Sequence, residues 1–103
     1  MGASAVNIIL SVFVIRDSYG YDIVQTVKKL SGGQIKWSVA SIYPVLRKLE
    51  TQGMIKSYWR MEKDERPRKY YSLLEPGRKE LEALRVYWST MNDVIFRLRE
   101  LPA

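Results

Sequence analysis

A chain of 103 residues with 47% apolar content is long enough for a packed core and too apolar to remain disordered. It has neither cysteine nor histidine, which excludes disulfides, thiolate nucleophiles, zinc sites of the Cys/His type and the usual general base at neutral pH. Its formal net charge of +6 originates between Lys28 and Lys69, where eleven basic residues stand against four acids; the remainder carries six basic and seven acidic residues. Positive charge concentrated in one central segment is the electrostatic footprint of a polyphosphate partner.

Ser4 to Ile15 reads as a first helix, with Val6, Ile9, Leu10 and Phe13 at helical spacing and Ser4 placed to cap it. The apolar run is too short to span a bilayer and lacks a basic leader, so a soluble, cytoplasmic protein is expected. Asp17-Ser18 and Gly20 mark a turn. A second helix runs from near Tyr21 to about Leu30, with Ile23, Val24, Val27 and Leu30 inward, and Ser31-Gly32-Gly33 ends it.

A third helix is expected over Val39 to Gln52, with Ser38 as its N-cap and Ile42, Val45, Leu46 and Leu49 on one arc. Ala40, Pro44, Arg47, Lys48 and Thr51 fall opposite. Pro44 lacks an N–H and crowds the preceding turn, so either the first turn is irregular or the helix begins nearer Ser41. Gly53 terminates it. Met54 to Met61 and Arg68 to Leu74 read as two strands around a charged tip, Glu62 to Pro67, whose proline is expected to stop the pairing. Trp59, Tyr70 and Tyr71 are expected to pack across the strands, with stacking platforms for single-stranded nucleic acid as the alternative; Ile55 and Leu73 would tie the hairpin to the helices.

Three helices and a hairpin are the order of a winged helix-turn-helix, assigned here to residues 1–74: mainly α with a small β-hairpin. Glu75-Pro76-Gly77 opens a last helix that runs to about Leu101, roughly 37 Å at the usual rise, and residues 75–103 are assigned as a C-terminal dimerisation segment. Leu81, Leu84, Trp88, Met91, Ile95 and Leu98 alternate in steps of three and four, a heptad seam widened by Tyr87, Val94 and Leu101. So small a body cannot cover such a stripe, and a homodimer through this helix is the economical solution.

Several stretches resemble the PadR family of bacterial transcriptional regulators. They are Gly20-Tyr21-Asp22-Ile23; Ser41-Ile42-Tyr43-Pro44-Val45-Leu46-Arg47-Lys48-Leu49-Glu50; Gly53-Met54-Ile55; Arg66-Pro67-Arg68-Lys69-Tyr70-Tyr71-Ser72-Leu73; and Glu75-Pro76-Gly77-Arg78. The resemblance implies a homodimeric repressor on a palindromic operator, with Ser41, Tyr43, Arg47 and Lys48 on the recognition helix and Arg66, Arg68 and Lys69 on the wing. The chain departs from the family pattern at Tyr19, where histidine is usual, and at Leu74, where threonine is usual. It departs again at Lys36-Trp37, where smaller residues are expected.

These residue types suit duplex DNA. Ser38 and Ser41 are short donors and acceptors at the end of a helix that fits the major groove. Arg47, Lys48 and the Tyr43 hydroxyl are placed for phosphates, and Arg66 and Arg68 for the backbone or a narrow minor groove. At the centre of the terminal seam, Trp88 would face its symmetry mate. With Tyr87, Met91 and Ile95 it is a candidate site for a flat aromatic effector, and the resemblance to the PadR family implies phenolic, drug-like or other planar hydrophobic compounds as its class. The competing role for Trp88 is a dimer anchor packed on Leu10 and Phe13. No acid pair, activated serine or P-loop nominates an enzyme, and nothing calls for a metal or cofactor. A winged-helix protein-interaction adaptor is the alternative function, one that does not need the basic surplus.

Overall fold

The architecture is that of a computed structural model, which describes residues 2–102. Its element order is α1 (Ala3–Ile15), α2 (Gly20–Leu30), α3 (Val39–Thr51), β1 (Ile55–Met61), β2 (Pro67–Leu73) and α4 (Glu75–Glu100). This is the expected fold class, mainly α with one hairpin and a long terminal helix. Ile9, Leu10, Ile23, Ile42, Leu46 and Ile55 are sealed from solvent at the centre, and Tyr71 is 1% exposed among them.

The helix ends follow from local chemistry, with two departures from expectation. Ser4 is not the cap of α1: it lies inside the first turn, behind Gly2 at the N-cap position, and no side chain caps the helix. Leu30 does not point inward but is 79% exposed, because it stands in the last turn, beyond the reach of the core. α2 and α3 close alike. Gly32 (φ 64°) and Gly53 (φ 73°) adopt the left-handed conformation that glycine accepts without a Cβ penalty. The next amide then reaches back five residues, Gly33 to the Lys28 carbonyl at 2.8 Å and Met54 to that of Leu49 at 3.0 Å.

α3 begins at Val39, not nearer Ser41, and it continues through Pro44. Ser38 caps it as expected, its Oγ accepting from the Ser41 amide at 3.1 Å. The same amide also bonds the Ser38 carbonyl at 3.2 Å, so the tightened first turn sits ahead of the proline. Trp37 is half-buried against the core, which gives the chain leading into α3 a hydrophobic anchor.

The two strands pair antiparallel, Ile55 opposite Leu73 through Met61 opposite Pro67. Pro67 therefore does not stop the pairing; it opens β2. The Glu62 amide bonds the Arg66 carbonyl at 3.2 Å, and hydrogen-bonded and open pairs alternate along the ribbon. The amide that Pro67 lacks would point away from β1, so no ladder bond is lost. The three-residue tip is a turn closed by the Glu65 amide on the Glu62 carbonyl at 2.9 Å, with Glu65 itself left-handed at φ 62°.

Two connections fasten the hairpin to the helices. Ser18 and Tyr71 exchange backbone hydrogen bonds of 3.2 and 2.8 Å, so the α1–α2 turn acts as a short third strand on the β2 edge. Leu74 donates to the Met54 carbonyl at 2.9 Å, and α4 then starts with Gly77 pressed on that carbonyl. A Cβ on Gly77 would lie 2.3 Å from the Met54 oxygen and 2.7 Å from Leu73 Cδ1, so only glycine fits. Gly77→Ala is expected to cost about 1–3 kcal/mol, the range for overpacking. Glu65→Gly, which relieves a left-handed residue in open solvent, is expected to gain up to about 1 kcal/mol. Urea denaturation of both variants measures the two signs.

Candidate nucleic-acid interface

α3 is positioned from three sides. Its core arc is Ile42, Leu46 and Leu49, all buried. The Tyr43 ring lies on Gly20, where a Cβ would come within 3.2 Å of it, and this close approach sets α3 against the start of α2. At its far end the Glu50 carboxylate accepts from the Ser57 amide at 3.1 Å and from the Ser57 hydroxyl, joining α3 to β1.

The α1–α2 turn is locked by a polar network around Ser18, which is fully buried. The Ser18 hydroxyl donates to Asp22 at 2.5 Å; Arg16 donates to both Asp22 oxygens at 3.1 Å and to the Thr26 hydroxyl at 3.0 Å. Burial pushes the Asp22 carboxyl up, but the hydrogen bonds from Ser18 and Arg16 and the Arg16 charge outweigh it and hold it below the usual carboxylate range.

Among the proposed DNA contacts on α3, Ser38, Ser41, Arg47 and Lys48 are exposed, and Tyr43 is 41% exposed. Both serines contribute to the helix start, since the Ser41 hydroxyl donates to the Ser38 carbonyl at 2.8 Å. Lys48 stands apart from Tyr43 and Arg47. It borders a groove shared with Gln52, Glu80 and Leu84, on the flank turned to α4.

Strand alternation divides the wing. Arg66 is exposed near the tip. Arg68 faces the side of the ribbon that carries Tyr58, Arg60 and Tyr70, whereas Lys69 shares the other side with Trp59 and Tyr71. Both are half-buried. The Arg68 guanidinium lies 4.9 Å from the centre of the Tyr19 ring and donates to its hydroxyl at 2.9 Å; the Lys69 amine lies 5.7 Å from that of Tyr71. Tyr71 is the core anchor of the hairpin, Tyr70 packs at 5.9 Å on Tyr58, and Trp59 is 68% exposed, without the expected cross-strand partner. Tyr19 and Glu50 are the positioning residues that sequence reasoning missed. The unusual residue at 19 was the one available signal, while nothing local tells that Glu50 bonds Ser57.

Along α4 only Gly77 is buried; Leu81, Leu84, Trp88 and Met91 are half-buried. Ile95 is 43% and Leu98 61% exposed, and Val94, Phe96 and Leu101 are exposed beside them. Trp88 lines an open groove of about 690 Å³ with Asn7, Ser11 and Val14 of α1, rather than with Leu10 and Phe13, which are sealed in the core. Its indole N–H is buried without a hydrogen-bond partner among the described residues. Tyr87 meets it edge-on at 6.1 Å, while Tyr87, Met91 and Ile95 lie outside the lining of that groove.

The model of the PadR-like family of transcriptional regulators matches residues 9–83, most of the chain. The chain belongs to this family. It is a transcriptional regulator rather than an enzyme. It is 36% identical to a Streptococcus mutans protein of known structure, with TM-score 0.79, over 92% of this chain and 85% of that one. A PadR family transcriptional regulator from Eggerthella lenta is 30% identical, with TM-score 0.78, over 96% and 84%. Bacillus subtilis PadR, solved in complex with operator DNA, is 26% identical with TM-score 0.72; the match covers 81% of this chain and 46% of that protein. Among the described residues no cluster of three metal-ligating side chains occurs, and no helix is long and apolar enough to cross a membrane.

The Asp22 network gives this PadR-like chain an acid-sensitive turn. A carboxyl whose folded pKa is depressed contributes its stability above the unfolded value of about 3.9 and loses it as pH falls through the lower folded value. The urea midpoint of the wild type is expected to fall more steeply between pH 5 and pH 3 than that of Asp22→Asn, which is weaker at pH 5 already. Parallel slopes would remove Asp22 from the acid response.

Proposed function

We propose that the chain is a cytoplasmic homodimeric repressor that reads a palindromic duplex operator with α3 and the wing. In this reading residues 1–74 form the DNA-reading body and residues 75–103 the pairing helix. The observation that carries it is the outward face of α3, where Tyr43 and Arg47 stand exposed on a helix clamped at both ends, beside a wing bearing Arg66 and Arg68. The operator complex of the related Bacillus subtilis protein supports duplex DNA as the partner. In the same reading Ser38, Ser41 and Arg47 meet the duplex, mostly at phosphates, while Lys48, on the flank turned to α4, and Lys69, on the other side of the ribbon from Arg68, add positive charge around that contact.

Pairing through α4 is supported by its uncovered seam, with Ile95 and Leu98 exposed and Leu81, Leu84, Trp88 and Met91 only half-covered. A stripe of this kind on a soluble body calls for a second copy. Effector release is supported by the groove at Trp88, whose indole N–H has an unmet donor. A flat aromatic molecule held there by Trp88, with Tyr87, Met91 and Ile95 outside the groove along the pairing seam, would rotate the paired helices. That rotation would change the separation of the recognition helices, which must match the groove repeat of about 34 Å.

Selection from a random duplex pool is expected to return a palindrome. On that site the affinity should fall with salt by roughly 0.9 log units per decade for each phosphate contact. Binding that is indifferent to salt, or a selected site without two-fold symmetry, would contradict the proposal. Planar dyes should quench tryptophan fluorescence in a chain whose Trp37 and Trp59 have been replaced, and Trp88→Ala should abolish dye binding.

A further inference from the structure

Arg60 and Arg68 stand directly opposite each other in the ribbon, on the same face. The pair alternates with the bond between Glu62 and Arg66, which makes it a hydrogen-bonded pair with Cα atoms about 5.5 Å apart. Like charges placed opposite in a sheet are destabilising. Carboxylates do little to relieve them. The nearest recorded ion pair is Arg68 to Asp64 at 3.9 Å, and no ion pair involves Arg60 among the described residues.

Tyrosine rings hold these two charges instead. The Arg60 guanidinium lies 5.1 Å from the centre of the Tyr70 ring, and that of Arg68 lies 4.9 Å from the centre of Tyr19. The rings form one connected cluster, Tyr19 tilted against Tyr70 at 5.1 Å and Tyr70 stacked on Tyr58 at 5.9 Å. Its hydroxyls are tied down: Tyr58 donates to Asp17, Tyr70 donates to Glu62, and Tyr19 accepts from Arg68. Two of the three nearby acids, Asp17 and Glu62, thus accept from tyrosine hydroxyls, and the third, Asp64, lies 3.9 Å from Arg68. A guanidinium resting on a ring engages that ring through its π face and keeps in-plane N–H groups for an anion, which it binds in fork geometry.

We propose that Arg60 and Arg68 form a two-arginine clamp for a single backbone phosphate of duplex DNA, held in register by Tyr70 and Tyr19. The clamp rests on the DNA-binding reading above and adds Arg60 as a contact, with Tyr19 and Tyr70 as positioning residues. A phosphate oxygen pair between the two forks converts their mutual repulsion into attraction for a shared anion. Asp64, on the exposed tip, is the competitor that the phosphate displaces.

The test uses the full chain on its selected duplex, with affinity measured by fluorescence anisotropy at several salt concentrations. Arg60→Gln and Arg68→Gln are each expected to weaken binding at a nearly unchanged salt slope, because the remaining arginine still meets the shared phosphate, and the double variant is expected to reduce the slope by about 0.9. Tyr19→Phe keeps the ring and loses the hydroxyl; it should weaken binding roughly three- to tenfold at unchanged slope, and have no effect once Arg68→Gln is present. Circular dichroism confirms that each variant folds. Single variants that each lose about 0.9 with a double variant that loses about 1.8, or a double variant that keeps the full slope, would overturn the clamp while leaving DNA binding intact. A wild-type chain with no salt-dependent affinity for duplex would overturn both.

Discussion

The reciprocal backbone bonds between Ser18 and Tyr71 make one body out of two parts. A two-stranded hairpin alone is marginal in water. Here its β2 edge is covered by the α1–α2 turn, and its Tyr71 side chain fills the helical core. The turn is itself held by Asp22 and Arg16 through the Ser18 hydroxyl. From that junction a ring of contacts closes: Tyr43 of α3 rests on Gly20 just after the turn, and Glu50 at the other end of α3 returns to Ser57 in β1. α3 and the hairpin are therefore fixed relative to each other by contacts at both ends of α3, and neither depends on its own local propensity to hold its place.

The charge distribution looks different in three dimensions than along the chain. The central segment concentrates its cations in sequence, but pleating sends Arg68 and Lys69 to opposite faces, and Lys48 turns toward α4. What gathers on one face is a smaller and better ordered set, Arg60 and Arg68 on a bed of tyrosines. Guanidinium groups held before a ligand arrives lose less freedom on binding than loose side chains do, so order can offset number.

The parts of this molecule that sequence patterns reveal are those set by short-range rules. Helical spacing located the α3 core arc, glycine marked the ends of α2 and α3, and a serine four residues before Ile42 proved to be the cap. Misreadings arose where a second influence acts. Leu30 fits the periodic pattern, yet the core ends before reaching it. Pro67 suggests a break, yet the ladder's alternation gives it a place where no amide is needed. Ser4 has the right chemistry for a cap but sits two positions past the N-cap, inside the first turn. At the candidate site, the basic cluster was legible and its assignment to faces was not, because that depends on strand register. Tyr19 meets Arg68 across 49 positions of sequence, a proximity that only the folded turn creates.

The contact between Gly77 and the Met54 carbonyl removes all slack at the root of the terminal helix. A hinge needs clearance, and none exists there. The end of α4, exposed from Asn92 to Glu100, forms the long arm of a lever whose short arm is the strand-entry segment. Torque applied near Phe96 is delivered to the base of the wing, not dissipated in a loose joint.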